Sequence, residues 1–163
     1  MHRLNFTGFL FMFFAMAVSC QTGEKPKPAT RYYKVSRVVD GDTFWVDDGS
    51  EKGIKVRLIG VDAPETRRTQ KKEIGYYAAE SKKFLSDQIL GKEVRLVSDV
   101  GKFDRYNRLL AYVYLRDGTF INAELIRQGY AMVMTVPPNV KHAELFLKLQ
   151  REARGKKAGL WGE

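Results

Sequence analysis

Three acidic side chains, Asp42, Asp62 and Glu65, stand at the ends of segments that read as β-strands, and two arginines, Arg57 and Arg108, stand near them in the chain. Asp40 and Asp42 flank Gly41, while Asp62 and Glu65 are separated by Ala63-Pro64. Each group alone has an ordinary explanation, because Asp-Gly is a turn signal and Asp-x-Pro-Glu can cap a helix or a loop. Together they say more. If the first hairpin meets the end of the third strand, three carboxylates converge with no lysine between them, and such a cluster repels itself unless a cation sits inside. All-oxygen ligation suits a hard ion such as Ca²⁺ rather than zinc. The histidines are His2 and His142, and His2 falls in an N-terminal export segment, so a histidine-based zinc site is ruled out. Arg57 is expected on the polar face of its strand, and Phe103-Asp104-Arg105-Tyr106-Asn107-Arg108 in the loop before the last strand. A guanidinium is a natural phosphate partner, since its planar fork gives two parallel hydrogen bonds and its charge is permanent. A metal on carboxylates facing fixed arginines makes a site for phosphoryl transfer. Arg105 or Arg108 taken alone would read as a surface arginine of a basic protein.

The elements that must position these groups are legible from the hydrophobic period. From Arg31 the pattern alternates, with Tyr33, Val35 and Arg37 against Lys34, Ser36 and Val38, and closes on Asp40-Gly41. Thr43-Phe44-Trp45-Val46 makes a second strand that runs into the turn Asp47-Asp48-Gly49-Ser50. In a third, Ile54, Val56 and Leu58 share one face, Lys55 and Arg57 the other. Residues 76–90 predict a helix with Ala78, Ser81, Leu85 and Ile89 on one stripe, ended by Gly91 in a left-handed cap. Strands are expected over 93–98 and 109–115, with Arg116-Asp117-Gly118 as the following turn. Asn122 is expected to cap a short helix that stops at Gly129, and a last helix to span about 140–154 with His142, Phe146, Leu149 and Ala153 on one side. Five short antiparallel strands with a helix after the third suit an α+β fold: a five-stranded Greek-key β-barrel of the OB type with three helices.

The chain as a whole sets the compartment and the partners. Its 163 residues suffice for one domain. Lys and Arg outnumber Asp and Glu by 28 to 19, a surplus that attracts polyanions, either nucleic acid or anionic lipid. Met1-His2-Arg3, an apolar run over residues 9–18 and then Ser19-Cys20 describe an export signal too short to span a membrane comfortably. Ala17-Val18-Ser19-Cys20 resembles a bacterial lipobox, whose cysteine takes a diacylglycerol and becomes the mature N-terminus; the alternative is an ordinary secretory peptide cut nearby. The expected organisation is a signal peptide over 1–19, a lipid-anchored tether over 20–30 rich in Pro and Lys, and one domain over 31–163. Cleavage before Cys20 removes Arg3 alone among the charged side chains, so the formal charge of +9 falls by only one. Cys20 is the single cysteine, so no disulfide can staple the domain.

Five segments in order resemble the staphylococcal nuclease family: Val38-Val39-Asp40-Gly41-Asp42-Thr43; Val56 to Glu65; Asp104 to Val113; Asn122 to Gly129; and Gly159-Leu160-Trp161. The likeness extends over essentially all of residues 31–163. It implies that Asp42 and Asp62 are direct Ca²⁺ ligands together with the Ala63 carbonyl, that Glu65 orients or deprotonates the attacking water, and that Arg57 and Arg108 act on the phosphate and its leaving oxygen. Asp40 would support the ligands from behind. It further implies hydrolysis of phosphodiesters in DNA and RNA that leaves 3′-phosphates. The protein is expected to be a monomer, and the N-terminal segment places it at the cell envelope, held at the membrane through Cys20. The chain departs from well-known members in three places. Ala63 replaces a Thr. Asn107 stands where Gly is usual, and Asn tolerates positive φ. Residues 132–138 lack the two tyrosines that stack on the nucleotide in some members, which predicts a weaker hold on the base. A catalytically weak nucleic-acid-binding OB module and a lipoprotein that merely adheres by charge are the competing readings; neither needs Asp42, Asp62 and Glu65 together.

Overall fold

The computed structural model describes residues 30–66 and 75–162. The signal peptide and nearly all of the tether therefore lie outside the described residues. Strands β1 (Tyr33–Asp40), β2 (Thr43–Asp47) and β3 (Ile54–Leu58) form the meander that the turn signals mark, and a three-residue β4 (Gly60–Asp62) follows. Helix α1 (Ala78–Ile89), β5 (Glu93–Val97), β6 (Leu109–Leu115), α2 (Ile121–Arg127), β7 (Met132–Met134), α3 (Ala143–Gly155) and a closing 3₁₀ turn (Gly159–Trp161) complete the chain. The large strands close into a barrel in the order β1-β2-β3-β6-β5, the five-stranded α+β architecture expected of an OB-type fold with three helices.

One pairing differs from the expected antiparallel set. β3 and β6 run parallel, with Val56 beside Leu109 and Leu58 beside Ala111. Parallel neighbours need a long crossover, and the excursion through α1 and β5 supplies it. β4 and β7 pair with each other outside the barrel; three-residue strands carry too short an alternation to be read from sequence.

Alternation sets the core. Val35, Phe44, Val46, Val56, Leu58, Val94, Ala111 and Val113 point inward and are buried. Burying a side chain such as Phe44 contributes about 1.5–3 kcal/mol. Helix α1 lays the expected stripe of Ala78, Ser81, Leu85 and Ile89 on the barrel, and Gly91, at φ 73°, ends it. The helix begins two residues later than expected because Tyr77 adopts a left-handed φ of 66°.

Asn122 is not a cap. Helix α2 already begins at Ile121, and the buried Asn122 side chain enters the barrel. Its Oδ1 accepts from Val113 N–H at 2.9 Å, and its Nδ2 donates to the carbonyls of Ile59 at 2.9 Å and Ala111 at 3.3 Å. It thus ties β6 to the link between β3 and β4.

Helix α3 begins at Ala143 rather than near Val140, since residues 140–142 form a turn closed by Ala143 N–H on Val140 O at 3.0 Å. That turn presses the His142 ring edge-on to Tyr112 at 4.5 Å and Phe120 at 5.0 Å. Burial pushes the His142 pKa below its ordinary value, and Lys141 adds to the push. A histidine held neutral in the fold but free to protonate when unfolded makes stability fall as pH drops through about 6.5. Melting temperatures measured above and below that pH are expected to drop further for wild type than for His142→Phe; equal drops would show that His142 does not sense its neighbours.

Candidate active site

The first hairpin meets the end of β3 because Gly41 has no side chain. A Cβ on Gly41 would stand 2.6 Å from Ala63 Cβ and 2.9 Å from Ser81 Cβ, closer than atoms can pack. This contact sets Asp42 against the β3–β4 segment, where Leu58 N–H donates to Asp42 O at 2.9 Å.

Asp42 is only 6% exposed and Arg57 only 7%. Alternation predicts Arg57's face but not its depth. The guanidinium spans two acids: Nη1 reaches Asp42 Oδ2 at 2.7 Å and Nη2 reaches Asp62 Oδ1 at 3.2 Å. Nη1 also donates to Val61 O at 2.7 Å. Asp42 Oδ2 accepts from Ala63 N–H at 3.0 Å, and Oδ1 accepts from the Thr43 hydroxyl at 2.9 Å. Burial pushes the Asp42 carboxyl up to about 7, with Arg57 pulling it down and Asp40 pushing it further up.

Across the cavity, Arg108 is held by Asp104. Arg108 Nε donates to Asp104 Oδ2 at 2.6 Å, and Arg108 N–H and Tyr106 N–H both donate to Oδ1. Burial raises the Asp104 pKa, but the Arg108 backbone and side-chain hydrogen bonds outweigh it and hold the carboxyl below its usual value. Asn107 takes φ 59°, the left-handed conformation that its side chain tolerates. Arg57 and Arg108 line one cavity of about 470 Å³, whose walls include Asp104, Tyr106 and the Val136–Asn139 loop. Asp62, Ala63 and Glu65 line another, also of about 470 Å³, with Gly75 and Tyr76. Arg57 on the first cavity contacts Asp62 on the second.

Residues 55–163 match the family described as staphylococcal nuclease homologue. The chain belongs to the staphylococcal nuclease family. It is 39% identical over 130 residues to a thermonuclease of Staphylococcus intermedius, covering 79% of this chain and 75% of that protein. It is 36% identical over 154 residues to an uncharacterized endonuclease of Haemophilus influenzae, covering 94% and 76%. An uncharacterized endonuclease of Escherichia coli is 36% identical over 130 residues, covering 80% and 76%. The family supports a nuclease activity for this homologue.

Three features of this nuclease fold differ from what its sequence leads one to expect. First, Asp42 and Asp62 meet on the Arg57 guanidinium, which bridges them directly. Among the described residues, no group of three or more His, Cys, Asp or Glu is placed to hold a metal ion. Arg57, expected near the acids and facing a phosphate, thus contacts both of them directly. Second, aromatic surface is present at the cavity that Arg57 and Arg108 line, although it comes from a different segment. Phe103 and Tyr106, 58% and 64% exposed, line it opposite Pro137 and Pro138. Third, Asn139 fixes that opposite wall: its Oδ1 accepts from Gly101 N–H at 2.7 Å and its Nδ2 donates to Gly101 O at 2.9 Å. The exposed aromatics before β6 were the available signal for the second feature; the third joins residues 38 apart and has no local signature.

Proposed function

We propose that this nuclease is a Ca²⁺-dependent phosphodiesterase that hydrolyses DNA and RNA to 3′-phosphate products. The observation that carries the reading is the buried Arg57 fork between Asp42 and Asp62, with Arg108 on the same cavity. The donor set fits a hard divalent cation. Asp42, Asp62 and the Ala63 carbonyl offer only oxygen, and a dication beside Asp42 would offset the burial that disfavours its charged form. Those three residues would hold the Ca²⁺, which when bound supplies positive charge against the phosphate.

The chain's own residues do the rest. Glu65 takes the proton of the attacking water. Arg57, locked by Val61 O and two carboxylates, aims fixed N–H donors where charge grows on the phosphate, so little reorganisation is needed during reaction. Arg108, oriented by Asp104, faces the phosphate and leaving oxygen. Phe103 and Tyr106 offer faces on which a base can stack.

Labelled DNA and RNA are expected to be cut in Ca²⁺ and spared in EDTA. Full-rate cutting in EDTA would remove the metal from the mechanism. Binding without any cutting in Ca²⁺ would make the protein a binding module.

The exported, lipid-anchored state belongs to the same proposal and rests on the Ala17-Val18-Ser19-Cys20 segment. Among the described residues no helix is long and apolar enough to cross a membrane. Cys20→Ala is expected to abolish lipid labelling and shift the protein out of the membrane fraction. An unlipidated mature N-terminus within residues 24–31 in wild type would instead indicate simple secretion.

A further inference from the structure

On the outside of the barrel, side chains at every second position of a strand share a face. Lys55 and Arg57 therefore lie on the same face of β3, and Thr43 and Trp45 on the same face of β2. Register places these residues in rows: Thr43 pairs with Arg57, and the next row runs Arg37 on β1, Trp45 on β2 and Lys55 on β3. At the β3–β6 boundary Val56 pairs with Leu109, and one residue back on each chain stand Lys55 and Arg108. The active-site arginines therefore border a row of cation, aromatic and cation that crosses three strands. With strands about 4.8 Å apart, the row from Arg108 to Arg37 spans about 14 Å.

The row has the composition of a strand-binding surface. The Arg37 guanidinium carbon lies 5.3 Å from the Trp45 ring centre, and Lys55 Nζ lies 6.0 Å from it. Neither cation forms an ion pair among the described residues, whereas Arg57, Arg108 and Arg116 all do. A cation beside an aromatic ring at the surface adds little stability, a weak reason to line up three strands this way. Positive side chains that follow a backbone, interleaved with a ring on which a base can stack, are how single strands are held without regard to sequence.

We propose that Arg37, Trp45 and Lys55 form an accessory track for single-stranded nucleic acid, carrying the strand beyond the phosphate held at Arg57 and Arg108. The inference rests on the nuclease reading for the continuity of the strand with the site. Bases are unstacked and reachable only in single strands, so the track favours them over duplex. Anionic lipid would satisfy the two cations equally well, but not the continuity with the phosphate-facing arginines.

The test reads binding in EDTA, so it does not depend on cleavage and is separable from the metal assignment. Trp161→Phe leaves Trp45 as the single tryptophan of the two in the chain. In that background a thymidine homo-oligomer of about 12 nucleotides is expected to quench Trp45 emission. Trp45→Ala is expected to weaken oligomer affinity, read by fluorescence anisotropy, about tenfold. Lys55→Gln is expected to reduce the slope of log affinity against log salt by about 1, while Arg151→Gln, an equal charge change on α3, leaves it unaltered. Absence of quenching overturns the track. So does an equal slope change from Lys55→Gln and Arg151→Gln, which would mean diffuse attraction only. Quenching by phosphatidylglycerol vesicles but not by the oligomer would assign the surface to lipid and overturn the proposal as well.

Discussion

Glu65→Gln is expected to lower turnover of DNA by about 10²–10⁴-fold, the usual worth of a positioned acid or base, while Ca²⁺-dependent binding of the same DNA persists. Glutamine keeps the size and polarity of the side chain, so the wall it shares with Asp62, Ala63 and Tyr76 keeps its shape. What is lost is the capacity to take a proton from water. Pro64, immediately before Glu65, restricts the backbone, and Gly75 N–H donates to Glu65 O at 2.9 Å, so the position is held from both sides of the 67–74 segment. Single-turnover cleavage of labelled DNA and anisotropy of the same substrate separate the two effects. Turnover left intact in the purified variant would sink the mechanism even if the protein remained a nuclease. Arg57→Lys is a companion test with a different signature. An ammonium cannot hold Asp42, Asp62 and Val61 O with a rigid fork, so both turnover and the site's electrostatics are disturbed, whereas Glu65→Gln leaves the fork untouched.

The contrast between these two residues shows how far sequence carries the site. The neighbourhood is legible because turn chemistry is local: Asp40-Gly41-Asp42 marks a hairpin, and Asp62-Ala63-Pro64-Glu65 marks a strand end. The face of Arg57 is legible because alternation assigns faces. Its depth is not, since alternation does not say whether another segment covers that face. In the fold Asp42, Asp62 and Val61 O close on its guanidinium. The same limit hides the parallel β3–β6 pairing, which depends on a crossover rather than on either strand's composition. It also hides the aromatic rim, because residues 132–138, where stacking tyrosines are missing, border a cavity whose other wall comes from residues 101–110. The helix stripes of α1 and α3 are legible almost residue by residue, as a period of 3.6 survives any tertiary context that buries one side.

Asn122→Leu is expected to destabilise the domain by about 2–4 kcal/mol. Asn at the start of a helix ordinarily reads as a cap, and a lost cap costs about 1 kcal/mol. The expected loss is larger because Asn122 is fully buried and caps nothing. Its Oδ1 is the acceptor for Val113 N–H, a donor in the middle of β6. Leucine keeps the branching and heavy-atom count of the side chain, though its methyls are bulkier, and removes that acceptor, leaving a buried N–H with no partner. The two carbonyls on Nδ2 fare differently. Ala111 O still receives Ile59 N–H at 3.0 Å, whereas Ile59 O loses the 2.9 Å bond that Asn122 gave it. Two orphaned backbone groups at about 1–3 kcal/mol each, offset in part by the apolar gain of leucine, set the expected range. Urea unfolding with an unchanged m-value reads the loss directly. A loss below about 1 kcal/mol would return Asn122 to an ordinary helix-start role. The position also couples stability to chemistry. Ile59 lies between Arg57 and Asp62, so loosening it should raise KM at temperatures where the domain is still folded. Asp117→Asn, in the exposed turn that accepts Thr119 N–H at 2.9 Å, perturbs only a surface hydrogen bond and should leave KM where it is. A stability loss in Asn122→Leu without any KM change would mean that the β3–β4 link is held by its own pairing with β6 and β7, and that the arginine fork owes nothing to the residue behind it.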